Sequence, residues 1–513
     1  MSGLNILLLL SLITCASCLK ILGVFPFTGR SHFLIFEPLL KELSRRGHEV
    51  TVMSSFPLRN PPPGYTDVYL PVHPGGEDMV QLVAGSRWDK YRSPISCKES
   101  TRHRCEFLLA SEEYRDFLLV DGKYDIILSE YFFFNCHLTP VVKKFKVPYV
   151  LIQTTPLMPW ANQWAGNPDN PAYIPNWVMD YSHKLGFLER LENTAVWVFG
   201  FLYYNYVMVA QEVQMYLKYA GADSDYLYDM MRNTSMFLVY THFAIHGARP
   251  FVPNVIEING MHIESQKRLP AHIDKWINES KHGVIYFSLG SMIKGHTFPD
   301  DKKQMFINAF GRLPQRVLWK WENETMPGKT DNIMIEKWMP QFDILCHPNV
   351  KAFIAHGGML GVTEAVHCGV PMIIMPQFGD QFTNAKAVEA SGGGTILDYR
   401  YLDEESIYNA LTTALDPKSN KKAKELSARF KDRPLPPLET AIYWIEYVAR
   451  HGGAPHLRTA AVGMPLYQYL LLDVIAFLVV ILFSFLFVVY YISRAILRKL
   501  CRRKQSSQKK KKH

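Results

Sequence analysis

The chain has 513 residues, of which 48% are hydrophobic and 20% are charged, and it carries a formal net charge of +9. This length and composition exclude an intrinsically disordered chain and leave room for two domains with cores of their own. Ten Lys and Arg residues lie between residues 494 and 512 with no acid among them, and subtracting them leaves about −1 for the rest, so the charge gives no reason to expect a nucleic-acid partner.

The first eighteen residues predict a secretory signal peptide. They contain no charged side chain, and the run LNILLLLSLITCASC ends in small residues that suit cleavage near Ser17 or Cys18. The positively charged segment that usually opens a signal peptide is missing. A buried first strand is the less favoured interpretation, because a second strand-like segment, KILGVFPF, follows directly.

The N-terminal half alternates between strand and helix patterns. Residues 21–27 are strand-like, and the next segment has helical spacing and ends near Gly47, a suitable C-cap. The apolar positions of that helix are Phe33, Phe36, Leu39, Leu40 and Leu43. Further strands are predicted for EVTVMSS, YTDVYLP, YDIILS and YVLIQ. This alternation predicts a parallel, doubly wound α/β sheet.

The middle of the chain separates two α/β halves. Residues 156–221 are aromatic and poor in strand patterns, and two interpretations remain open: helices that pack a core, or an apolar acceptor pocket beside the sheet. Residues 246–255, HGARPFVPNV, predict a domain linker. Beyond it, HGVIYFSLGS, RVLWKWE, KAFIAHGG and PMIIMP predict the strands of a second half, and TAIYWIEYVARHGG predicts an amphipathic helix.

Five cysteines lie between the two ends of the chain. They are Cys97, Cys105, Cys136, Cys346 and Cys368. Because their number is odd and no C-x-x-C occurs among them, neither complete internal pairing, a zinc site nor a disulfide scaffold is indicated. By proximity in the sequence, Cys97 with Cys105 is the favoured pair.

The C-terminal region predicts one membrane span. Residues 474–492 are 19 residues without a charge, about 28 Å of helix, and the basic residues that follow predict a cytosolic tail. Together with a cleaved signal peptide, the helix and the tail predict a lumenal protein with a single membrane span near its C-terminus. Lys510 and Lys511 resemble the dilysine retrieval signal of endoplasmic-reticulum membrane proteins. Three N-x-S/T acceptors fit a lumenal glycoprotein: Asn233, Asn278 and Asn323.

The stretch FIAHGGMLGVTEAVHCGVPMIIMPQFGDQ, residues 353–381, carries the strongest chemical signal. VKAFIA predicts a buried parallel strand, His356, Gly357 and Gly358 form the loop at its carboxyl end, and MLGVTEAVHCG predicts a helix. Ligands of open α/β sheets bind at that edge, and glycines before a helix N-terminus let backbone N–H groups approach an anion. We therefore predict a phosphate site, with His356 as a further donor.

Other polar residues in this half fit the remaining parts of a nucleotide-sugar. Glu364, two turns into the helix, can accept hydrogen bonds from a ribose diol, and Asp380 with Gln381 can bind sugar hydroxyls. Trp338 is predicted to stack on the base, with Gln341 forming a hydrogen bond nearby. Ser288, Gly290 and Ser291 are predicted to form a second phosphate-binding turn, and Asn384 ends the set. Each residue alone is a weak signal, but the ordered set is a strong one.

These motifs resemble a known family. WMPQFDILCHP and FIAHGGMLGVTEAVHCGVPMIIMPQFGDQFTNA are similar to the donor-binding block of UDP-glycosyltransferases, especially the membrane-bound animal members of insect type. The similarity extends over nearly the whole chain, including VFPFTGRSHFLIFEPLLKELSRRGHEVTVMS and VIYFSLGS. Departures are Ala355, where Ser or Thr is usual, and Gly361, where many relatives have Ser and a hydroxyl contact to phosphate is lost.

The resemblance implies a GT-B fold, with two facing Rossmann-like domains and one C-terminal transmembrane helix, and a part in detoxification. It implies a UDP-sugar as co-substrate, no further cofactor, and a small lipophilic acceptor such as a phenol. Glucose is the favoured sugar, with glucuronic acid or galactose as alternatives. The oligomeric state cannot be deduced, and a homo-oligomer is left open.

The resemblance also places the catalytic histidine of the family at His32. This residue follows the first strand at the start of the first long helix, where the helix dipole disfavours an imidazolium and keeps a neutral base available. In a sheet of order 3-2-1-4-5, strand four lies beside strand one, so that Glu130 comes near His32 as its orienting acid. Asn135 is the alternative partner. One displacement implies inversion, from an α-linked donor to a β-glycoside.

The predicted domains are a signal peptide (1–18), an acceptor-binding Rossmann-like domain (19–245), a linker (246–255), a UDP-sugar-binding Rossmann-like domain (256–440), a returning helix and juxtamembrane segment (441–465), a transmembrane helix (466–492) and a basic cytosolic tail (493–513).

Other classes of protein are less well supported. No G-x-G-x-x-G follows a strand, and neither H-E-x-x-H nor G-x-S-x-G occurs, which argues against a dehydrogenase, a zincin and an α/β-hydrolase. Asp223-Ser224-Asp225 is formally a D-x-D motif, but it lies in a polar segment without flanking strands, so that no obligatory metal is expected. The remaining alternative is a non-catalytic membrane protein that binds a UDP-sugar or a lipophile on the same fold.

Overall fold

The computed structural model describes residues 18–73, 89–132, 135–219 and 224–510. The predicted signal peptide up to Ser17, Asp223 of the D-x-D motif, and Lys511 of the tail lie outside the described residues. Residues 18–459 contain two parallel sheets and the helices that cover them.

The first sheet has seven parallel strands. Its strands are β1 (Lys20–Phe25), β2 (Glu49–Ser54), β3 (Tyr65–Tyr69), β4 (Ile126–Glu130), β5 (Tyr149–Gln153), β6 (Met236–Val239) and β7 (Val255–Glu257). Their order is β3-β2-β1-β4-β5-β6-β7, which contains the expected 3-2-1-4-5 arrangement. Because β7 pairs with β6, the predicted linker boundary at residue 255 falls inside a strand of the first sheet.

The second sheet has six parallel strands. They are β8 (Val284–Ser288), β9 (Arg316–Lys320), β10 (Ile333–Glu336), β11 (Val350–Ala355), β12 (Met372–Ile374) and β13 (Gly394–Ile396). The order β10-β9-β8-β11-β12-β13 reverses direction between β8 and β11, as it does between β1 and β4 in the first sheet. Such switch points are where open α/β sheets bind their ligands.

Helices connect the strands and cover both sheets. In this part of the chain they are α1 (Arg30–Arg45), α2 (Asp89–Ala110), α3 (Glu112–Leu119), α4 (Leu138–Phe145), α5 (Pro159–Ala165), α6 (Phe187–Tyr203), α7 (Val209–Tyr219), α8 (Ser224–Arg232), α9 (Phe243–His246), α10 (Ala271–Asn278), α11 (Asp300–Gly311), α12 (Gln341–Leu345), α13 (Met359–Cys368), α14 (Gln381–Ser391), α15 (Glu404–Leu415), α16 (Pro417–Lys431) and α17 (Pro437–Arg450). A π-helical turn, Tyr204–Met208, joins α6 to α7.

The first helix illustrates how the pattern folds. All five apolar positions predicted for α1 are buried against the sheet, and each such side chain contributes about 1.5–3 kcal/mol to folding. Gly47 follows the helix with φ 93°, a conformation that glycine adopts without strain, and its N–H bonds the Ser44 carbonyl. α17 returns to this half of the protein, where Glu439 pairs with Arg46 and Glu446 lies 3.3 Å from His48 Nε2.

In the aromatic segment, residues 156–221, some side chains pack a core and others line a cavity, so each of the two interpretations holds for part of it. Trp160 and Trp164 of α5 are buried, and the Trp160 ring stacks on Tyr204 at 4.9 Å, as expected for helices that pack a core. Trp177 instead lines the cavity described below. Six apolar side chains of α6 do neither, because they are exposed: Phe187, Leu188, Leu191, Val198, Phe199 and Leu202.

The predicted Cys97–Cys105 pair is wrong. The disulfides join Cys105 to Cys136 and Cys346 to Cys368. Cys97 and Cys105 both lie in α2, where eight residues of helix separate their Cα atoms by about 12 Å, well beyond the span of a disulfide. Proximity in the sequence misled because the helix extends the chain between the two residues.

Residues 460–510 contain a short helix, α18 (Leu466–Tyr469), and one long helix, α19 (Leu472–Lys510). Within α19, the segment Leu472–Arg502 contains an 18-residue window with a mean hydropathy of 3.0. Its length and composition therefore suit a membrane span. This helix begins after a break at Leu471, where φ is 55°, and it contains the uncharged residues 474–492.

Candidate active site

One cavity of about 520 Å³ lies between the carboxyl edges of the two sheets. Its walls include residues that follow β1, β4 and β5 of the first sheet and residues that follow β8, β10, β11 and β12 of the second, together with Lys320 at the end of β9. Most of the predicted site residues line it: His32, Ser288, Gly290, Ser291, Trp338, Gln341, His356, Gly358, Gly361, Glu364, Asp380 and Gln381. Glu130, Gly357 and Asn384 stand behind the walls and contact residues that line them.

Three adjacent strands bring the predicted base and acid together. His32 lies in the first turn of α1, Glu130 is the last residue of β4, and Thr154 follows β5. His32 Nδ1 lies 2.5 Å from Glu130 Oε1, and Thr154 Oγ1 lies 3.0 Å from the same oxygen and 3.1 Å from Nδ1. Because an ionised carboxylate only accepts hydrogen bonds, this contact assigns the proton to Nδ1 and leaves Nε2 as an acceptor.

Aromatic rings fix the imidazole of His32. The ring centroids of Phe27 and Phe132 lie 4.5 and 4.9 Å from that of His32. Glu130 is buried, with 3% of its side chain exposed, whereas His32 keeps 17% exposed toward the cavity. Asn135, the alternative partner, is buried elsewhere: its N–H donates to Glu212, and its carbonyl accepts from Tyr216.

The second sheet supplies a tight glycine loop around His356. Gly357 has φ 89°, and a Cβ atom there would lie 2.9 Å from Ile374. A Cβ atom on Gly290 or Gly358 would lie 2.7 or 2.4 Å from the His356 ring, so glycine is required on both sides of the imidazole. The glycines on both sides of His356 therefore leave the space beside its imidazole free of other side chains.

The electrostatics of this loop suit an anion. Burial lowers the pKa of the His356 imidazole to about 4, and the charge of Lys320 adds to the effect. His356 Nδ1 is buried and has no hydrogen-bond partner among the described residues. Gly358 is the N-cap of α13, where unpaired N–H groups and the helix dipole favour negative charge. Lys320 lines the same cavity and pairs with Glu322 at 2.6 Å.

The predicted ribose site is preorganised by an amide. Gln341 Nε2 donates to Glu364 Oε2 at 2.6 Å, and His262 Nε2 lies 3.7 Å from Glu364 Oε1. A Cβ atom on Gly361 would lie 3.2 Å from Gln341 Nε2, so this glycine makes room for the amide. Trp338 stands at the rim, where 67% of it is exposed, as a base platform requires before its ligand binds.

Asp380 is the N-cap of α14 and Gln381 its first residue, and both line the cavity. Asn384 Nδ2 donates to Asp380 Oδ2 at 2.8 Å and to the Gly357 carbonyl at 3.0 Å. Burial raises the pKa of the Asp380 carboxyl, and the hydrogen bond from Asn384 acts against that rise. Gln381 Oε1 accepts from the N–H groups of residues 377 and 378. Asn384 thus orients Asp380 from behind the cavity wall.

Sequence reasoning missed two residues that bear on the chemistry. Thr154 contacts both members of the His32–Glu130 pair, and it is the first residue after a predicted strand, where topology could have found it. Lys320 places a cation beside His356; it lies within the predicted strand RVLWKWE and is the last residue of the observed β9. Neither residue belongs to a motif, so only their positions at strand ends could have indicated them.

Two parallel Rossmann-like sheets with a cavity between their carboxyl edges define the GT-B class of glycosyltransferases. Solved structures share this fold: a glycotransferase of kitacinnamycin (TM-score 0.56, 17% identity, 85% of this chain and 99% of that chain) and CalG4, the calicheamicin glycosyltransferase (TM-score 0.55, 16% identity, 85% and 99%). The predicted fold class is confirmed.

Sequence comparison gives the family. Residues 77–510 match the family model described as UDP-glucoronosyl and UDP-glucosyl transferase. UDP-glycosyltransferase UGT5 of Dactylopius coccus is 43% identical over 96% of this chain and 95% of its own length, and UDP-glucosyltransferase 2 of the same insect is 40% identical over 93% of each. UDP-glucuronosyltransferase 1A3 of Rattus norvegicus is 32% identical over 95% and 93%. This chain belongs to the UDP-glycosyltransferase family, as its motifs predicted.

Proposed function

We propose that this enzyme transfers a sugar, most favourably glucose, from a UDP-sugar to a hydroxyl of a small lipophilic acceptor with inversion, forming a β-glycoside. One observation carries the proposal: the His32–Glu130 pair and the glycine loop around His356 face the same cavity from opposite sheets. Glucose is favoured because a relative named as a glucosyltransferase is 40% identical, whereas those named as glucuronosyltransferases are 32–33% identical.

His32 is the proposed general base. Its Nε2 accepts the proton of the acceptor hydroxyl while that oxygen forms a bond to C1 of the sugar, and Glu130 stabilises the imidazolium that results. Thr154 donates to Glu130 and keeps the carboxylate in place. Phe27 and Phe132 pack against the ring, so that little reorganisation is needed as the proton moves.

The second sheet is proposed to receive the leaving group. As the bond between C1 and the phosphate oxygen breaks, negative charge grows on UDP beside the N-terminus of α13, His356 and Lys320. Glu364 and Gln341 are proposed to bind the ribose, Trp338 the uracil, and Asp380 and Gln381 the sugar hydroxyls. We keep as a prediction that the UDP-sugar is a co-substrate and that the enzyme requires no cofactor or metal.

Apolar side chains support a lipophilic acceptor. Phe27, Leu34, Phe132 and Trp177 line the cavity, and the rings of Phe27 and Phe132 contact His32. Trp177 belongs to the loop whose carbonyl groups bind Thr383 of α14, so the acceptor wall is attached to the donor half of the protein. A phenol fits such a wall, since its ring packs on aromatic side chains while its hydroxyl reaches the base.

The proposed location is the endoplasmic-reticulum membrane, with the two sheets in the lumen and the C-terminus in the cytosol. A helix fit for one membrane span, α19, supports the anchoring. All three N-x-S/T acceptors, Asn233, Asn278 and Asn323, are exposed, which supports a glycoprotein. Removal of N-glycans from membrane-bound protein should shift its mass, whereas cytosolic sheets would carry none.

Turnover of UDP-glucose with a panel of phenols tests the proposed activity. We expect a product whose mass is that of the acceptor plus one hexose, and whose anomeric proton shows the large coupling constant of a β-glucoside. An α-linked product would contradict the proposed inversion. Binding of UDP without turnover of UDP-glucose, UDP-glucuronic acid or UDP-galactose over the whole panel would favour the alternative, a non-catalytic binder.

A further inference from the structure

The carboxylate that is proposed to bind the ribose has a histidine behind it. Glu364 of α13 lines the cavity, whereas His262, in the turn that follows β7, stands outside the lining with 7% of its side chain exposed. The Nε2 atom of His262 lies 3.7 Å from Glu364 Oε1 and is buried. A nucleotide in the cavity would therefore contact Glu364 directly and His262 only through Glu364.

The two neighbours of the His262 imidazole determine which nitrogen carries its hydrogen. A carboxylate attracts an N–H group and repels a nitrogen lone pair, so Glu364 places the hydrogen of the neutral imidazole on Nε2. Nδ1 is then an acceptor, and it contacts the hydroxyl group of Tyr240. Burial raises the pKa of Tyr240 above its usual range, so the phenol keeps its proton and donates a hydrogen bond to Nδ1.

The surroundings fix Tyr240 relative to Glu364. Tyr240 follows β6 of the first sheet, and its carbonyl group accepts from Asn259 Nδ2 at 3.3 Å. Asn259 Oδ1 in turn accepts from the hydroxyl of Thr363, the residue before Glu364, at 2.8 Å. The side chains of Tyr240, Asn259 and Thr363 are fully buried. The phenol, the imidazole and the carboxylate are therefore held in one packed unit.

The N–H group on His262 Nε2 is the donor of this unit that is still unsatisfied. At 3.7 Å it is too far from Glu364 Oε1 for a full hydrogen bond, and it has no hydrogen-bond partner among the described residues. The other oxygen of Glu364 already accepts from Gln341 at 2.6 Å. A carboxylate has about four lone-pair sites, so bonds from Gln341 and His262 leave room for both ribose hydroxyls.

We propose that His262 is a positioning residue for the nucleotide: held by the Tyr240 hydroxyl, it donates from Nε2 to Glu364 when UDP binds and directs the carboxylate at the ribose diol. Through Tyr240, the first sheet thereby takes part in the recognition of a nucleotide that the second sheet binds. The inference rests on the proposed function, in which Glu364 binds the ribose.

Calorimetric titration of the full-length protein with UDP and with 2′-deoxy-UDP tests the proposal. The parent should bind UDP about tenfold more tightly, because 2′-deoxy-UDP lacks one of the two hydroxyls that Glu364 accepts from. His262→Phe keeps an aromatic ring but has no N–H donor. It should weaken the binding of UDP about fivefold and leave that of 2′-deoxy-UDP within about twofold of the parent. His262→Gln can donate to Glu364 through its amide and should restore most of the preference.

Two further variants separate positioning from packing. Tyr240→Phe should reduce the preference for UDP about threefold in the parent and should have no further effect in His262→Phe, because the hydroxyl acts through the imidazole. His48→Phe is the matched control, since His48 is also buried and also lies beside a glutamate, Glu446, at 3.3 Å. This control should leave both dissociation constants at their parental values.

The possible failures can be told apart. A parental preference for UDP in His262→Phe, or an equal weakening of both nucleotides, would overturn the positioning role and leave the ribose site in place. A parent that binds both nucleotides equally would contradict the ribose-binding role of Glu364, and the inference with it, whereas a parent that binds neither would contradict the proposed function. If His262→Phe does not fold, Tyr240→Phe decides, because an unchanged preference there would overturn the inference.

Discussion

His32 and Glu130 lie 98 positions apart in the chain, yet His32 Nδ1 is 2.5 Å from Glu130 Oε1. The contact exists because β1 and β4 are neighbours in the first sheet and both end at the same edge. The imidazole therefore has one nitrogen committed to the carboxylate and the other facing the cavity, which is the arrangement that a general base needs.

Replacing Glu130 by Gln should lower kcat strongly. The amide can donate to Nδ1 and so favour the tautomer that carries its proton on Nε2, which cannot accept one from the acceptor. We expect a fall of about 10²–10⁴-fold in kcat, with an unchanged dissociation constant for UDP. Glu113→Gln, at an exposed acid of α3, is the matched control. If Glu130→Gln keeps the parental kcat, the carboxylate does not orient the base.

Thr154 should matter less than Glu130. Thr154→Val removes a hydroxyl that contacts both Glu130 and His32, a loss of about 1–1.5 kcal/mol, which corresponds to roughly a tenfold lower kcat. Thr154→Ser keeps the hydroxyl and should restore most of the rate. Steady-state kinetics of the two variants check this, and equal rates for Val and Ser would rule out the role of the hydroxyl.

The glycine loop should be intolerant of a single methyl group. Gly358→Ala forces a Cβ atom into the His356 ring, and overpacking of this kind costs about 1–3 kcal/mol. We expect at least a fivefold weaker affinity for UDP by calorimetry. Gly311→Ala is the control, because its Cβ atom would meet only Thr330 at an ordinary 3.6 Å. Equal affinities for the two variants would show that UDP does not need the observed loop geometry.

The disulfide assignment can be checked without kinetics. Unreduced peptide mapping should find Cys105 linked to Cys136 and Cys346 linked to Cys368. The Cys136→Ser variant should lose about 2–4 kcal/mol of folding free energy, because the cross-link restricts the unfolded chain. A peptide that joins Cys97 to Cys105 would contradict the structure of α2.

Folding stability should fall in acid partly because of His137. This residue is buried beside Ser129, and burial lowers its pKa from 6.5 to about 3. Between those values the unfolded chain binds one proton more than the folded protein, so stability falls as pH drops, by about 1.4 kcal/mol per pH unit. The free energy of unfolding, taken from denaturation curves at pH 6 and pH 5, should change with pH by about 1.4 kcal/mol per unit less in His137→Gln than in the parent. Asn409→Gln, at an exposed position of α15 without a titratable side chain, should keep the parental slope.

Much of the fold and of the cavity could be predicted because their signals are local. The strand VKAFIA, the loop from His356 to Gly358 and the following helix occupy consecutive residues, so periodicity and glycine position define them together. The pairing of His32 with Glu130 needed only the usual strand order of a doubly wound sheet.

What could not be predicted depends on contacts that spacing does not encode. Cys105 pairs with Cys136 because α2 packs against the segment that holds Cys136. The number of residues between two cysteines does not show that a helix holds them apart. The motif predicted Gly357 and Asn384 as part of the ligand site, but it does not show that both lie behind the cavity wall. The outward orientation of α6 follows from hydrogen bonds of Asn193 to residues 171–176.

The measurement that tests the central claim most directly compares the full-length enzyme with its His32→Ala variant. Both the turnover of UDP-glucose with a reactive phenol and the dissociation constant of UDP should be determined. We predict that the variant loses about 10²–10⁴-fold in kcat while its affinity for UDP stays within twofold of the parent, because the base and the UDP site belong to different sheets. Parental turnover in the His32→Ala variant would contradict the assignment of His32 as the base.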